Sequence, residues 1–190
     1  MGQRTQIVIE VNKIERDSKT NKDIIKKYVG SYHNQWGIAT MQLRDIKRFL
    51  TTYYNGFGDY KLPEQLYKAY FLKDKYDYPF NEECTLENIM KWLNCQDNND
   101  GGLFLTVNMD KYGTIEDGKL YIFNDPEADN RNLPDNASDD DYVGVNRIIG
   151  FWEYLNYYPK YFTKDFVTGF FAELAEHNIE IVEKMEANND

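Results

Sequence analysis

No stretch of this 190-residue chain holds the roughly 18 consecutive apolar residues that a membrane-spanning helix requires, so a bilayer is not its expected environment. Only two cysteines occur, Cys84 and Cys95, and their positions on either side of a predicted helix are ill suited to a simple bridge. With two histidines and no CxxC or HxxxH spacing they offer thin material for a zinc site, and neither metal nor cofactor is expected. The glycines form neither GxGxxG nor GxxxxGKS/T, which leaves nucleotide-binding loops without support. The opening Met1-Gly2-Gln3-Arg4-Thr5-Gln6 runs into alternating residues rather than a signal peptide's apolar core, and a reducing cytoplasm is the expected location.

What the chain does have is aromatic surface and unevenly placed charge. It carries 16 Tyr, 11 Phe and 3 Trp, and tyrosine suits both sheet faces and protein-binding surfaces because its ring can be half buried with the hydroxyl in water. The first 75 residues hold 14 Lys/Arg against 8 Asp/Glu, whereas the remaining 115 hold 8 against 24, for a net charge of −10. A concentrated acidic surface repels nucleic acid and anionic membrane and favours a basic partner.

Periodicity divides the chain into strands and helices. Ile7, Ile9 and Val11 alternate with Gln6, Val8 and Glu10, the period of a strand with one face in the core, and the branched and aromatic Ile24 to Gln35 predicts its antiparallel partner. From about Ile38 to Tyr54 the apolar Ile46, Phe49, Leu50 and Tyr53 fall at helical spacing, ending at Asn55-Gly56-Phe57-Gly58. Pro63 opens a shorter predicted helix with Leu66, Tyr67, Tyr70 and Phe71, and Thr85 caps a third with Leu86, Ile89, Met90 and Leu93. Leu103 to Val107 and Lys119 to Phe123, the latter after a turn-like Asp117-Gly118, complete an expected antiparallel sheet of about four strands.

Between these strands and the end of the chain lies a long acidic insert, 125–141, with seven Asp/Glu, one Arg and two Pro, which reads as a loop. Ile148, Phe151, Trp152 and Leu155 then recur at helical spacing, as do Val167, Phe170, Phe171, Leu174 and Ile181 after the cap candidate Thr163, with Pro159 separating the two helices. The expected fold class is α+β, a single domain over 1–190 with several helices on the sheet and a helical C-terminus.

Two groups of residues are candidate sites. Asp139, Asp140 and Asp141 in the insert, with Glu173, Glu176 and Glu180 spaced three to four residues apart, place carboxylates at a density near that of phosphates along a nucleic-acid strand, so such a surface can occupy a basic nucleic-acid channel. The alternative is a ligand pocket or small enzyme site around Tyr32, His33, Asn34 and Trp36, where a strand hands over to a helix. Asp97-Asn98-Asn99-Asp100-Gly101-Gly102 is rich in oxygen ligands, but aligning Gly101 with the obligatory EF-hand glycine puts Gln96 at the first ligand position and Val107 at the bidentate one. That pattern fails, and a turn between helix and strand explains the same residues.

The Met1-Gly2-Gln3-Arg4-Thr5 opening, its strand, and Tyr32-His33-Asn34-Gln35-Trp36-Gly37 leading into a helix resemble small uncharacterised proteins of phages and bacterial mobile elements. Trp36-Gly37 stands where those proteins have Asp-Gly, and no Tyr-Pro follows. The resemblance spans about the first 55 residues and implies an origin, not an activity. Together these features lead to the expectation of a non-enzymatic binding module that inhibits or modulates a basic host protein, such as a defence nuclease or other nucleic-acid-binding protein, with no direct nucleic-acid contact. A structural or assembly module is the remaining alternative.

Overall fold

In a computed structural model of the chain, the structure describes residues 5–34, 39–54, 85–94, 101–124 and 147–183, with backbone alone at 30–34, 52–54 and 91–94. Six strands form one sheet: β1 (Thr5–Arg16), β2 (Asp23–Asn34), β3 (Gly102–Met109), β4 (Ile115–Asn124), β5 (Arg147–Ile149) and β6 (Ile179–Ile181). Among the described residues four helices accompany them: α1 (Thr40–Tyr54), α2 (Leu86–Asn94), α3 (Phe151–Tyr157) and α4 (Lys164–Glu176), with a 3-10 turn at Pro159–Tyr161. The class is α+β, as composition and periodicity predict. The predicted helix over Leu66 to Phe71 and both cysteines lie outside the described residues.

The expectation of a purely antiparallel sheet is corrected. The strand order is β2-β1-β3-β4-β5, with β6 also paired to β4; β1 and β3 run parallel, and so do β4 and β6. A parallel pair needs a long crossover, and the chain between Asn34 and Gly102, which includes α1 and α2, supplies it. The β1–β2 hairpin and the β3–β4 hairpin are antiparallel, as expected.

Alternation sorts side chains onto two faces. Ile7, Ile9 and Val11 of β1, Leu103, Leu105 and Val107 of β3, and Leu120 and Ile122 of β4 pack with Leu43, Ile46, Phe49 and Leu50 of α1 and with Phe151, Tyr154, Phe170 and Leu174. On the other face Val8, Phe104, Phe123 and Ile148 pack with Ile89 of α2. β1 is therefore covered on both sides near its start, where Ile7, Val8 and Ile9 are fully buried. Farther along, that second face turns polar: Asn12 Nδ2 donates to Glu10 Oε1 at 3.0 Å, and Lys27 Nζ lies 3.2 Å from Glu10 Oε2.

Caps and turns account for several boundaries. Thr85 Oγ1 accepts from Asn88 N, and Thr163 Oγ1 accepts from Phe166 N, each at 3.2 Å. The first hairpin closes through Asp17, whose carboxylate accepts from Lys19 N and from Thr20 N and hydroxyl. The Thr20 hydroxyl first, and then the Lys19 amide, hold this carboxyl below its ordinary pKa. The turn before β4 is formed by Asp110 to Thr114, not by Asp117-Gly118, with Asp110 Oδ1 accepting from Tyr112 N and Thr114 N at 2.8 Å. Gly118 lies within β4, where a Cβ would stand 2.3 Å from Thr106 O and 2.8 Å from Ile179 Cδ1.

Two further boundaries differ from the periodic reading. Ile148 belongs to β5, because it pairs with Phe123 before the helix begins. The last helix stops short of Ile181: Asn178 takes a left-handed φ of 51°, which Asn tolerates, and its side chain donates to Glu116 O at 3.0 Å. Ile179-Glu180-Ile181 then adds to β4 as a strand.

Leu105 is fully buried on the central β3 strand, so Leu105→Ala is expected to lower the unfolding free energy in urea by about 2–5 kcal/mol. Gly101 has φ +76° and stands where a Cβ would meet Phe123 O at 2.0 Å; Gly101→Ala should cost at least about 1–2 kcal/mol in the same assay from the left-handed backbone alone.

Candidate functional site

The pairing register gathers five strand ends at one end of the sheet. Thr5 opposes Asn34, Gln6 opposes Gly102, Gly102 opposes Phe123, and Asn124 opposes Arg147. The segments 35–38, 95–100 and 125–146 are therefore all rooted at this end, although their residues lie outside the described set. Both sequence-derived candidates, the Tyr32–Trp36 cluster and the acidic insert with Asp139, Asp140 and Asp141, attach there. Thr5, Gln6 and Asn124 are buried polar residues at the roots of these segments.

For the first candidate the structure gives the backbone register of β2 alone. Tyr32 is in register with Ile7, and Asn34 with Thr5, whereas His33 is in register with Gln6. Trp36 lies outside the described residues.

The second candidate separates in a different way. The described residues hold 15 Lys/Arg and 15 Asp/Glu, so the net charge of −10 is carried by the other segments, and the insert contributes the largest single share. Within the described residues the three glutamates do not form one helical stripe. Glu173 is largely buried between α4 and α1: its Oε1 accepts from Thr51 Oγ1 at 3.0 Å, and its Oε2 lies 3.8 Å from Lys47 Nζ. His177, itself almost fully buried, places Nε2 at 3.6 Å from Glu173 Oε1. Glu176 is exposed at the helix end, and Glu180, also exposed, sits on β6 in register with Lys119.

The basic residues of α1 are likewise engaged within the molecule. Lys47 Nζ donates to Gly169 O at 3.2 Å, Arg48 pairs with Asp45, and the Arg44 guanidinium lies over the Phe166 ring. Spacing on one helix did not disclose these partners, because Glu173, Gly169 and Phe166 come from a distant part of the sequence.

At the opposite end of the sheet lies a feature that the sequence did not single out. An open groove of about 470 Å³ is lined by Lys13, Ile14, Glu15, Arg16, Asp23, Lys111 and Tyr112. Beside it, Glu15 Oε1 accepts from the Tyr28 hydroxyl, and Lys26 Nζ lies 3.7 Å from Glu15 Oε2. Partial burial first, and then the bond to Glu15, push the Tyr28 phenol up from its ordinary value. The Lys26 ammonium is also pushed up, by its contact with Tyr28 and then by the Glu15 charge. Among the described residues, no three His, Cys, Asp or Glu side chains gather as a metal site, and no helix is long and apolar enough to cross a membrane.

Two outcomes follow from these geometries. Removing Glu173 leaves Lys47 and His177 without their carboxylate, so Glu173→Ala should cost about 1–3 kcal/mol in urea unfolding, while Glu176→Ala should stay within about 0.5 kcal/mol. Because the folded chain holds the Tyr28 proton more tightly than the unfolded chain, its contribution is complete below the ordinary value of 10.0 and is lost as pH rises through the folded value. The urea midpoint of the unmodified protein should therefore fall more between neutral pH and pH above about 10 than that of Tyr28→Phe.

Compared with protein-family models, with curated proteins and with solved structures, the chain has no match.

Proposed function

We propose that this protein is a binding module whose acidic insert engages a basic surface on a nucleic-acid-handling protein, such as a host defence nuclease, and so competes with nucleic acid for that surface. The observation that supports this reading is the division of charge: the described framework is balanced, and the insert joins Asn124 to Arg147 at a paired strand end. Seven carboxylates against one arginine, launched from a fixed root, present a charged element whose own base offers little compensation. Arg147, at the returning end, is already paired with Glu153.

Contacts of this kind act through Coulomb attraction and counterion release, so binding weakens as salt rises. Asp139, Asp140 and Asp141 are the proposed contacts in the insert, and Glu176 and Glu180 are exposed positions that a partner can reach. Glu173, held by Lys47 and Thr51, acts in this reading by fixing α4 against α1.

The test is capture of basic proteins from a host lysate on the immobilised full chain, at low and at high salt, followed by displacement with heparin. The expected result is a partner retained at low salt and released by the polyanion. Reversing Asp139, Asp140 and Asp141 together to Lys should weaken that binding more than about tenfold, since close interfacial charge pairs each couple by about 1.5 kcal/mol or more. Equal capture by the reversed variant would remove the proposal.

A further inference from the structure

We propose that the groove at the hairpin end of the sheet is a binding site for a small organic phosphate, with the phosphate seated among Lys13, Arg16 and Lys111. The groove is formed by the end of β1, the start of β2 and the β3–β4 turn, and its volume of about 470 Å³ falls in the range of small-molecule sites. It lies at the opposite end of the strands from Asn124 and Arg147, which the acidic insert joins, and is independent of the function proposed above.

Lys13 carries the argument. The residue is only 5% exposed, although a buried ammonium is costly unless paired. Its nearest carboxylate oxygen among the described residues, Glu15 Oε1, is 4.0 Å away, too far for a hydrogen bond. That oxygen already accepts from the Tyr28 hydroxyl, and Oε2 of the same carboxylate faces Lys26. Lys13 and Lys26 are moreover direct cross-strand partners, two like charges with one glutamate between them. An incoming anion relieves both defects.

The other cations have capacity to join it. Arg16 Nε donates to Asn21 Oδ1 at 2.9 Å and one terminal nitrogen to Asp23 at 3.2 Å, which leaves its second terminal nitrogen without a hydrogen bond among the described residues. Lys111 contacts the Tyr112 ring at 5.1 Å and forms no ion pair among the described residues. The nearby Asp17 and Asp110 carboxylates accept backbone amides of their own turns.

Charge favours phosphate over carboxylate. Lys13, Arg16 and Lys111 line the groove with Glu15 and Asp23, an excess of one positive charge, and Lys26, which pairs with Glu15 from outside the lining, raises it to two, the charge of a phosphate monoester dianion. The donors also come from separate backbone segments, which suits the several oxygens of a tetrahedral group. Tyr112, 67% exposed on the rim, offers an aromatic surface to the organic part of the ligand.

The experiment is a titration of the isotopically labelled full chain, followed by amide NMR at low ionic strength, with phenyl phosphate and with benzoate. Phenyl phosphate should shift Arg16, Lys111, Tyr112 and Thr114 saturably and bind at least about tenfold more tightly than benzoate. Lys111→Ala, an exposed change, and Lys13→Met, which keeps the buried stem without its charge, should each weaken phenyl phosphate by about fivefold or more. If Lys13→Met does not fold, the Lys111→Ala comparison decides alone. Absence of a saturable shift, equal affinity for benzoate, or unchanged binding by Lys111→Ala would overturn the assignment.

Discussion

The parallel pairing of β1 with β3 is the constraint on which the rest of the structure depends. With Ile7 beside Leu103, Val8 beside Phe104 and Ile9 beside Leu105, two strands far apart in sequence become the centre of the sheet. A slip of one residue would send the whole Ile7, Ile9 and Val11 set to the α2 side, and both hydrophobic clusters would lose their members. Burial on both faces at Val8 and its neighbours opposes that slip, because neither register neighbour is free to accept a polar side chain.

The same pairing decides which chain ends meet. Since β1 and β3 start together, the start of β1, the end of β2, the start of β3, the end of β4 and the start of β5 share one end of the sheet, while the two hairpin turns share the other. Charge follows this division. The strand ends that the acidic insert joins are at one end, and Lys13, Arg16, Lys26 and Lys111 are at the other. The described framework as a whole, the hairpin end included, holds equal numbers of acidic and basic side chains, several of them paired internally, as Lys47 with Glu173 and Lys27 with Glu10 illustrate. Its stability rests chiefly on apolar burial, which salt screens little.

Local structure was legible in the sequence wherever it is set by neighbours. The alternation of Ile7, Ile9 and Val11, the helical spacing of Ile46, Phe49 and Leu50, and the caps Thr85 and Thr163 all appear as read. Pairing was not legible, because nothing in β1 or β3 alone says whether they run parallel. Short edge strands were hidden too: Ile148 and Ile181 fit a helical spacing with their neighbours, and only the left-handed Asn178 and the partner strand β4 show otherwise. For the sites, the spacing of Glu173, Glu176 and Glu180 suggested a single face, but Glu173 is turned inward by Lys47 and Thr51 from another helix. The groove has no local signature, because Lys13 and Lys111 come together only once the sheet has formed.

Interstrand backbone nuclear Overhauser effects in solution test this arrangement most directly. Contacts linking Ile7 with Leu103 and Ile9 with Leu105 in a parallel pattern are the predicted result. An antiparallel pattern between β1 and β3 would place the insert and the hairpin turns differently, and would contradict the convergence of strand ends on which both proposed sites are built.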